Sequence, residues 1–308
     1  MDRKKIWSII KNSLKIVITL GALYWVFKKV ELEDLLAAIS DSNPLFLAFA
    51  FLAFLTSIII SSSRLLSFLK AIGLNVSEGY NFKLYKLGMF YNLFLPGGIG
   101  GDGYKIYFLR KKFPIKGRKI LGALFFDRLS GLWALSLIIS ALIIFMPQLN
   151  IPNTLTIFGF LLGTIFYYIV IRRFFSDFKA NFFITHLKAI GVQFMQVLSA
   201  ILILYALGFE GKFSPYLFLF LASSLVAIIP FSVGGLGMRE IVYMRGAELF
   251  NLDADLAVLI SLLFYIISAL VSLSGAYYIF TPKGLGEEKL PSVQDVERSK
   301  SEEDDQEY

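Results

Sequence analysis

Four places along the chain put ionisable residues among apolar ones. Arg64 follows Ser61, Ser62 and Ser63. Asp102 and Lys105 lie in a glycine-rich stretch. Asp127 and Arg128 sit among Phe125, Phe126 and Leu129. Arg239 and Glu240 follow a second glycine-rich stretch. A charge within a membrane segment costs about 2.5–3.5 kcal/mol on insertion scales, so each such residue points to function by default. The planar fork of Arg binds phosphate through two parallel hydrogen bonds. One reading is therefore a polar cavity whose cations hold an anionic headgroup. The other is that Asp102, Asp127 and Glu240 neutralise the neighbouring bases as buried ion pairs. The two are compatible, because an empty cavity can keep its cations paired.

Several chemistries are excluded or disfavoured. The chain has no Cys, so thiolate and disulfide chemistry is absent. A single His, His186, rules out a multi-histidine metal centre, and neither metal nor cofactor is expected. His186 itself is expected at a membrane interface. Gly98, Gly100 and Gly103 spell G-x-G-x-x-G, but an apolar helical run precedes them where a dinucleotide site needs a strand. Asp253 and Asp255 resemble a D-x-D motif, yet an Asp just before an apolar helix reads as an N-cap.

The two glycine-rich stretches match each other. Pro96, Gly100, Gly101 and Gly103 share the pattern P-x-x-x-G-G-x-G with Pro230, Gly234, Gly235 and Gly237, at a separation of 134 residues. Lys105 and Arg239 fall at the same offset after the prolines. Irregular backbone at membrane depth is tolerated only where protein buries it or where it lines a wet cavity. Glycine permits left-handed backbone and close approach to a ligand, and a helix opening behind such a turn offers free N–H groups to an anion. Close helix packing is the plainer reason for glycine.

The elements that must position these residues follow from composition. The 308 residues are 56% hydrophobic and 17% charged, with a mean hydropathy of +0.68. Apolar segments run roughly over 13–27, 44–61, 84–96, 120–146, 154–171, 186–207, 215–230 and 256–280. The third and seventh are short and run into the glycine stretches. The excess of Lys and Arg in cytoplasmic loops sets orientation. Residues 105–119 carry seven bases and no acid, as a cytoplasmic loop would. Both flanks of 84–103 are basic, so this segment should enter and leave on one face. Residues 215–237 should do the same from the opposite face. The expected fold is all-α and integral to the membrane: two inverted repeats, with six full transmembrane helices and two re-entrant hairpins. Repeat one spans about 1–146 and repeat two about 150–281 of a membrane domain covering 1–281. Residues 282–308 form an acidic tail expected to be disordered and cytoplasmic.

Three ordered stretches carry a family resemblance. They are Asn92 to Lys105 (NLFLPGGIGGDGYK), Phe126 to Gly131 (FDRLSG) and Pro230 to Glu240 (PFSVGGLGMRE), with Arg64 matching a further position. The chain resembles the lysylphosphatidylglycerol synthase transmembrane (flippase-like) family, also labelled UPF0104, up to about residue 281. The resemblance implies a plasma-membrane protein that moves a phospholipid or related lipid between leaflets, while the loop charges of this multi-pass chain place both termini in the cytoplasm. Larger members carry a soluble aminoacyl-transferase domain after the membrane part. Here about 27 residues follow the last crossing, so lysyl transfer is not expected. The candidate headgroup residues are Arg64, Pro96, Gly100, Gly101, Asp102, Lys105, Asp127, Arg128, Pro230, Gly234, Gly235, Arg239 and Glu240. The expected partner is a lipid with an anionic head, with a second copy or a membrane enzyme as further candidates and no nucleic acid. The alternative functions are a non-transporting partner of a glycosyltransferase or lipid-modifying enzyme, and an enzyme on lipid-linked substrates.

Overall fold

The computed structural model describes residues 39–94, 100–226 and 238–286. The chain divides into two compact units, Met1–Ser42 and Asn43–Tyr308, and the second contains every candidate site residue. The expected first crossing, the two glycine turns with Pro96, Pro230, Gly234 and Gly235, and the acidic tail all lie outside the described residues.

Ten helices account for nearly all of the described second unit, and no strand occurs among the described residues. They are α1 Pro44–Ala71, α2 Glu78–Phe94, α3 Gly100–Lys112, α4 Gly117–Ile144, α5 Asn153–Phe174, α6 Phe182–Ala206, α7 Phe213–Val226, α8 Met238–Phe250, α9 Ala254–Leu273 and α10 Tyr277–Phe280. Among the described residues, five helices are long and apolar enough to cross a membrane: α1, α4, α5, α6 and the stretch Ala254–Phe280. The protein is an all-α, multi-pass membrane protein. The basic stretch 105–119 is non-helical only at 113–116, between α3 and α4. Its lysines and arginines are good helix formers, and charge density alone does not distinguish a loop from a solvated helix end.

Local sequence explains where the helices begin. Asn43 caps α1, its side chain accepting from the Leu45 N–H at 3.0 Å, and Pro44 occupies the first helical position, where no N–H is needed. Asp253 caps α9 by accepting from the N–H groups of Asp255 and Leu256 at 3.0 and 3.1 Å, as its sequence position suggests. Asn150 and Asn251 take the left-handed conformation, with φ of 51° and 52°, in two of the connections between helices.

The most extensive helix pair among the described residues is α1 against α6. Small residues allow it. Ala50, Ala53, Ser57 and Ser61 recur along one face of α1, and Ala189, Ser199 and Ala200 are buried on α6. The Ser199 hydroxyl donates to the Ala50 carbonyl at 2.9 Å, which ties the two backbones. By contrast, α5 buries only Ile171 and touches mainly α4, leaving Phe158, Leu162 and Phe166 outward. Such a helix is stable only in an apolar solvent.

The order long–short–short–long occurs twice, as α1–α4 and as α6–α9, each element starting about 135–138 residues after its counterpart. Packing between the two series is reciprocal: α2 of the first lies against α9 of the second, and α7 of the second against α4 of the first.

Candidate functional site

The site is organised by α4. Asp127 and Arg128 are consecutive, so they project about 100° apart around the helix and meet different neighbours. Asp127 faces α1, where Arg64 binds it through two contacts: Nε to Oδ1 at 2.8 Å and Nη2 to Oδ2 at 3.3 Å. Both side chains are about nine-tenths buried. Gly131, one turn along α4, leaves room for the guanidinium: a Cβ there would stand 3.2 Å from Arg64 Nη1. Gln193 of α6 donates to the Gly131 carbonyl at 3.4 Å, closing the packing around the pair.

Arg128 faces α3. Its Nε and Nη2 reach Asp102 Oδ2 at 2.8 and 2.7 Å. The other oxygen of Asp102, Oδ1, accepts from Lys105 Nζ at 3.0 Å. Lys105 is 7% exposed and its ammonium lies 4.9 Å from the Tyr85 ring centroid on α2. Arg128 differs from the rest of the group, with 42% of its side chain exposed. Among the described residues, this assembly holds three cations, Arg64, Lys105 and Arg128, and two carboxylates, Asp102 and Asp127. Its outermost member is an Arg fork whose carboxylate partner is shared with a lysine.

Asp102 and Lys105 do not lie in an irregular turn, as the sequence suggests. They belong to the first turns of α3, which opens at Gly100. Gly100, Gly101 and Gly103 are helical, and none has positive φ. Gly101 is required for another reason. A Cβ on it would collide with the backbone of Gly88 on α2, so the two glycines let α2 and α3 touch backbone to backbone. The Gly101 N–H, at the start of α3 where intrahelical acceptors are missing, is satisfied by Asn92 Oδ1 at 2.8 Å. Tyr91 and Tyr104 stack across the same contact with centroids 3.8 Å apart.

Arg239 belongs to a different neighbourhood. It lies in the first turn of α8, donates from Nη2 to Ser224 Oγ of α7 at 3.3 Å, and lies 5.9 Å from the Phe264 ring centroid of α9. The side chain of Glu240 is outside the described residues. Thus the structure brings together Arg64, Asp102, Lys105, Asp127 and Arg128, around α4, and places Arg239 in the second series of helices.

Two polar clusters are not visible in the sequence. Lys188 of α6 donates to the Ser63 carbonyl at 3.2 Å, the Ser63 hydroxyl at 2.9 Å and the Ser67 hydroxyl at 2.8 Å. The spacing of Ser63 and Ser67, one helical turn apart, is the available signal. His186 is packed inside the bundle, in the first turns of α6. It is 4% exposed, stacked on Phe182 at 3.9 Å between Trp133 and Tyr167, with Nδ1 against the Phe182 carbonyl at 2.7 Å and Nε2 against Tyr167 Oη at 3.3 Å. A ring can satisfy both nitrogens inside a helix bundle, which its isolated position in the sequence does not reveal. Among the described residues, no group of three or more His, Asp or Glu side chains is arranged to hold a metal ion.

A family model described as the lysylphosphatidylglycerol synthase TM region matches residues 12–275. The chain belongs to that family. The match covers every element around the site, from α1 to α9. No curated protein matches the chain. Membership links this membrane domain to lipid modification or translocation.

Proposed function

We propose that the protein is a flippase-like lipid translocator of the plasma membrane, and that the Asp102–Lys105–Arg128 group receives the anionic part of a lipid headgroup. The observation that carries this reading is the half-exposed Arg128 fork, backed by the buried Lys105 and shared through one carboxylate. With no lipid present, Asp102 holds both cations and spares them an unpaired charge at membrane depth. A phosphate competes with Asp102 for Arg128, because a guanidinium accepts either anion in the same bidentate geometry. The Arg64–Asp127 pair, more deeply buried, fixes α4 against α1 so that Arg128 keeps its direction. The acyl chains stay in the bilayer.

The reciprocal packing of α2 on α9 and α7 on α4 supports an inverted relation between the two helix series. In that arrangement, rocking of one series against the other would open the headgroup site to each leaflet in turn. The deciding experiment is a leaflet-resolved assay with fluorescent phospholipid in proteoliposomes. The expected result is translocation by the native chain and at least about a tenfold loss in Arg128→Ala, the scale of one charged hydrogen bond. Unchanged flipping in Arg128→Ala, or none by the native chain, would refute the proposal.

A further inference from the structure

We propose that the acidic segment Glu302–Glu307 docks on a basic ridge formed by the end of α3 and the start of α4. Lys111, Lys112, Lys116, Arg118 and Lys119 are all exposed on this ridge. No Asp or Glu occurs between residues 103 and 126. From a neighbouring element, Asp177 comes within 3.7 Å of Lys119. Lys111 and Lys112 also complement the negative end of the α3 dipole.

The chain leaves the described structure beside this ridge. The turn Pro282–Leu285 is seated on α2, with Leu285 3% exposed in the same apolar cluster as Tyr80, Phe108 and Leu109. Lys83 of α2 donates to the Gly284 carbonyl at 3.4 Å. One turn away on α2, Tyr80 carries the Lys112 ammonium over its ring at 3.8 Å. Gly284 and Lys112 therefore flank a single turn of α2. From Gly286, sixteen residues lead to Glu302. A random coil of that length spans roughly 20–24 Å, enough to pass the single turn of α2 that separates Gly284 from Lys112.

Charge complementarity names the occupant. Residues 301–308 hold Glu302, Glu303, Asp304, Asp305 and Glu307 and no base, facing five bases on the ridge. Tethering raises the local concentration of this segment to the millimolar range, so weak ion pairs suffice to hold it. The contact is salt-sensitive, because exposed charges are screened over about 10 Å at 0.1 M salt. Anionic lipid is the competing occupant, since a juxtamembrane basic cluster also attracts it. Docking of the segment would then shield the ridge from lipid until salt or a more highly charged membrane displaces it.

The test uses the full chain in nanodiscs of zwitterionic lipid, treated with a zero-length carbodiimide that joins Lys amines to carboxylates. Mass spectrometry of the monomer band should find Glu302–Glu307 linked to Lys111, Lys112, Lys116 or Lys119. The yield should fall severalfold in high salt and in the variant with Glu302, Glu303, Asp304 and Asp305 changed to Gln or Asn. The combined Lys111→Gln, Lys112→Gln, Lys116→Gln, Lys119→Gln variant changes exposed residues only, and should lose the links while eluting as the native protein does. Links confined to Lys289 and Lys300, links found only between molecules, or links of equal yield to other lysines in that variant would overturn the proposal. So would complete loss of the links in nanodiscs with the anionic-lipid content of a native membrane, which would assign the ridge to lipid.

Discussion

Two ion pairs anchored on consecutive residues of α4 have opposite energetic characters. Arg64–Asp127 is buried on both sides, so removing one partner strands the other charge. Asp127→Ala should lower stability by about 3–5 kcal/mol, read as an earlier thermal transition in detergent. The double replacement Arg64→Met with Asp127→Leu should recover much of that loss, because no charge is then left unpaired. An Asp127→Ala protein melting like the native one would show that the pair contributes little. Arg128 is half-exposed, and its replacement by Ala should change stability by only about 0–1 kcal/mol while lipid translocation falls steeply. Comparing melting and transport in one preparation separates the two roles.

At the scale of elements, close approach of backbones positions the site. Gly101 and Gly88 let α2 and α3 meet, and this contact holds Asp102 and Lys105 opposite Arg128. Gly101→Val should destabilise by about 1–3 kcal/mol or more, since the collision is with backbone that cannot rotate away. Gly159→Val is the control, because nothing stands within 4 Å of a Cβ at that position on α5. Equal melting temperatures for the two variants would show that the α2–α3 contact tolerates a side chain. Capping supplies a second test. Asn92→Ala removes the acceptor for the Gly101 N–H and should cost about 1 kcal/mol, as should Asp253→Ala at the start of α9. Denaturant titration monitored by tryptophan fluorescence would resolve losses of that size.

The whole molecule is tested through its topology. The chain has no Cys, so single cysteines can be introduced and labelled without background. With the proposed orientation, Lys116→Cys and Ser176→Cys should react with an impermeant maleimide only from the cytoplasmic side. Gln148→Cys and Lys212→Cys should react from the outside. These four positions lie in or next to the connections α3–α4, α5–α6, α4–α5 and α6–α7. Labelling of Lys116→Cys and Lys212→Cys from the same side would remove the inverted relation between the two helix series.

Sequence alone determined that the chain is helical and lives in a membrane, because runs of apolar residues long enough to span a bilayer have no other stable solution. Those runs mark α1, α2, α4, α5, α6, α7 and α9, most of their ends to within several residues. Hydropathy does not reveal α3 and α8, whose charged residues look like loop. Arg64, Asp102, Lys105, Asp127 and Arg128 stand out in the sequence, since charges in apolar surroundings are costly and therefore conspicuous. Which charge pairs with which was decided by tertiary structure. Asp127 lies next to Arg128 in the chain yet pairs with Arg64, and Arg128 crosses to Asp102, because helical geometry turns neighbours apart and packing selects partners from other helices. In sequence, glycine suggests freedom for the backbone, but Gly101 serves as an absence of side chain between two helices. The burial of His186 and the Lys188 contacts to Ser63 and Ser67 likewise depend on which faces meet. That is settled by side-chain volume across helix interfaces, a property of pairs of segments that neither segment carries by itself.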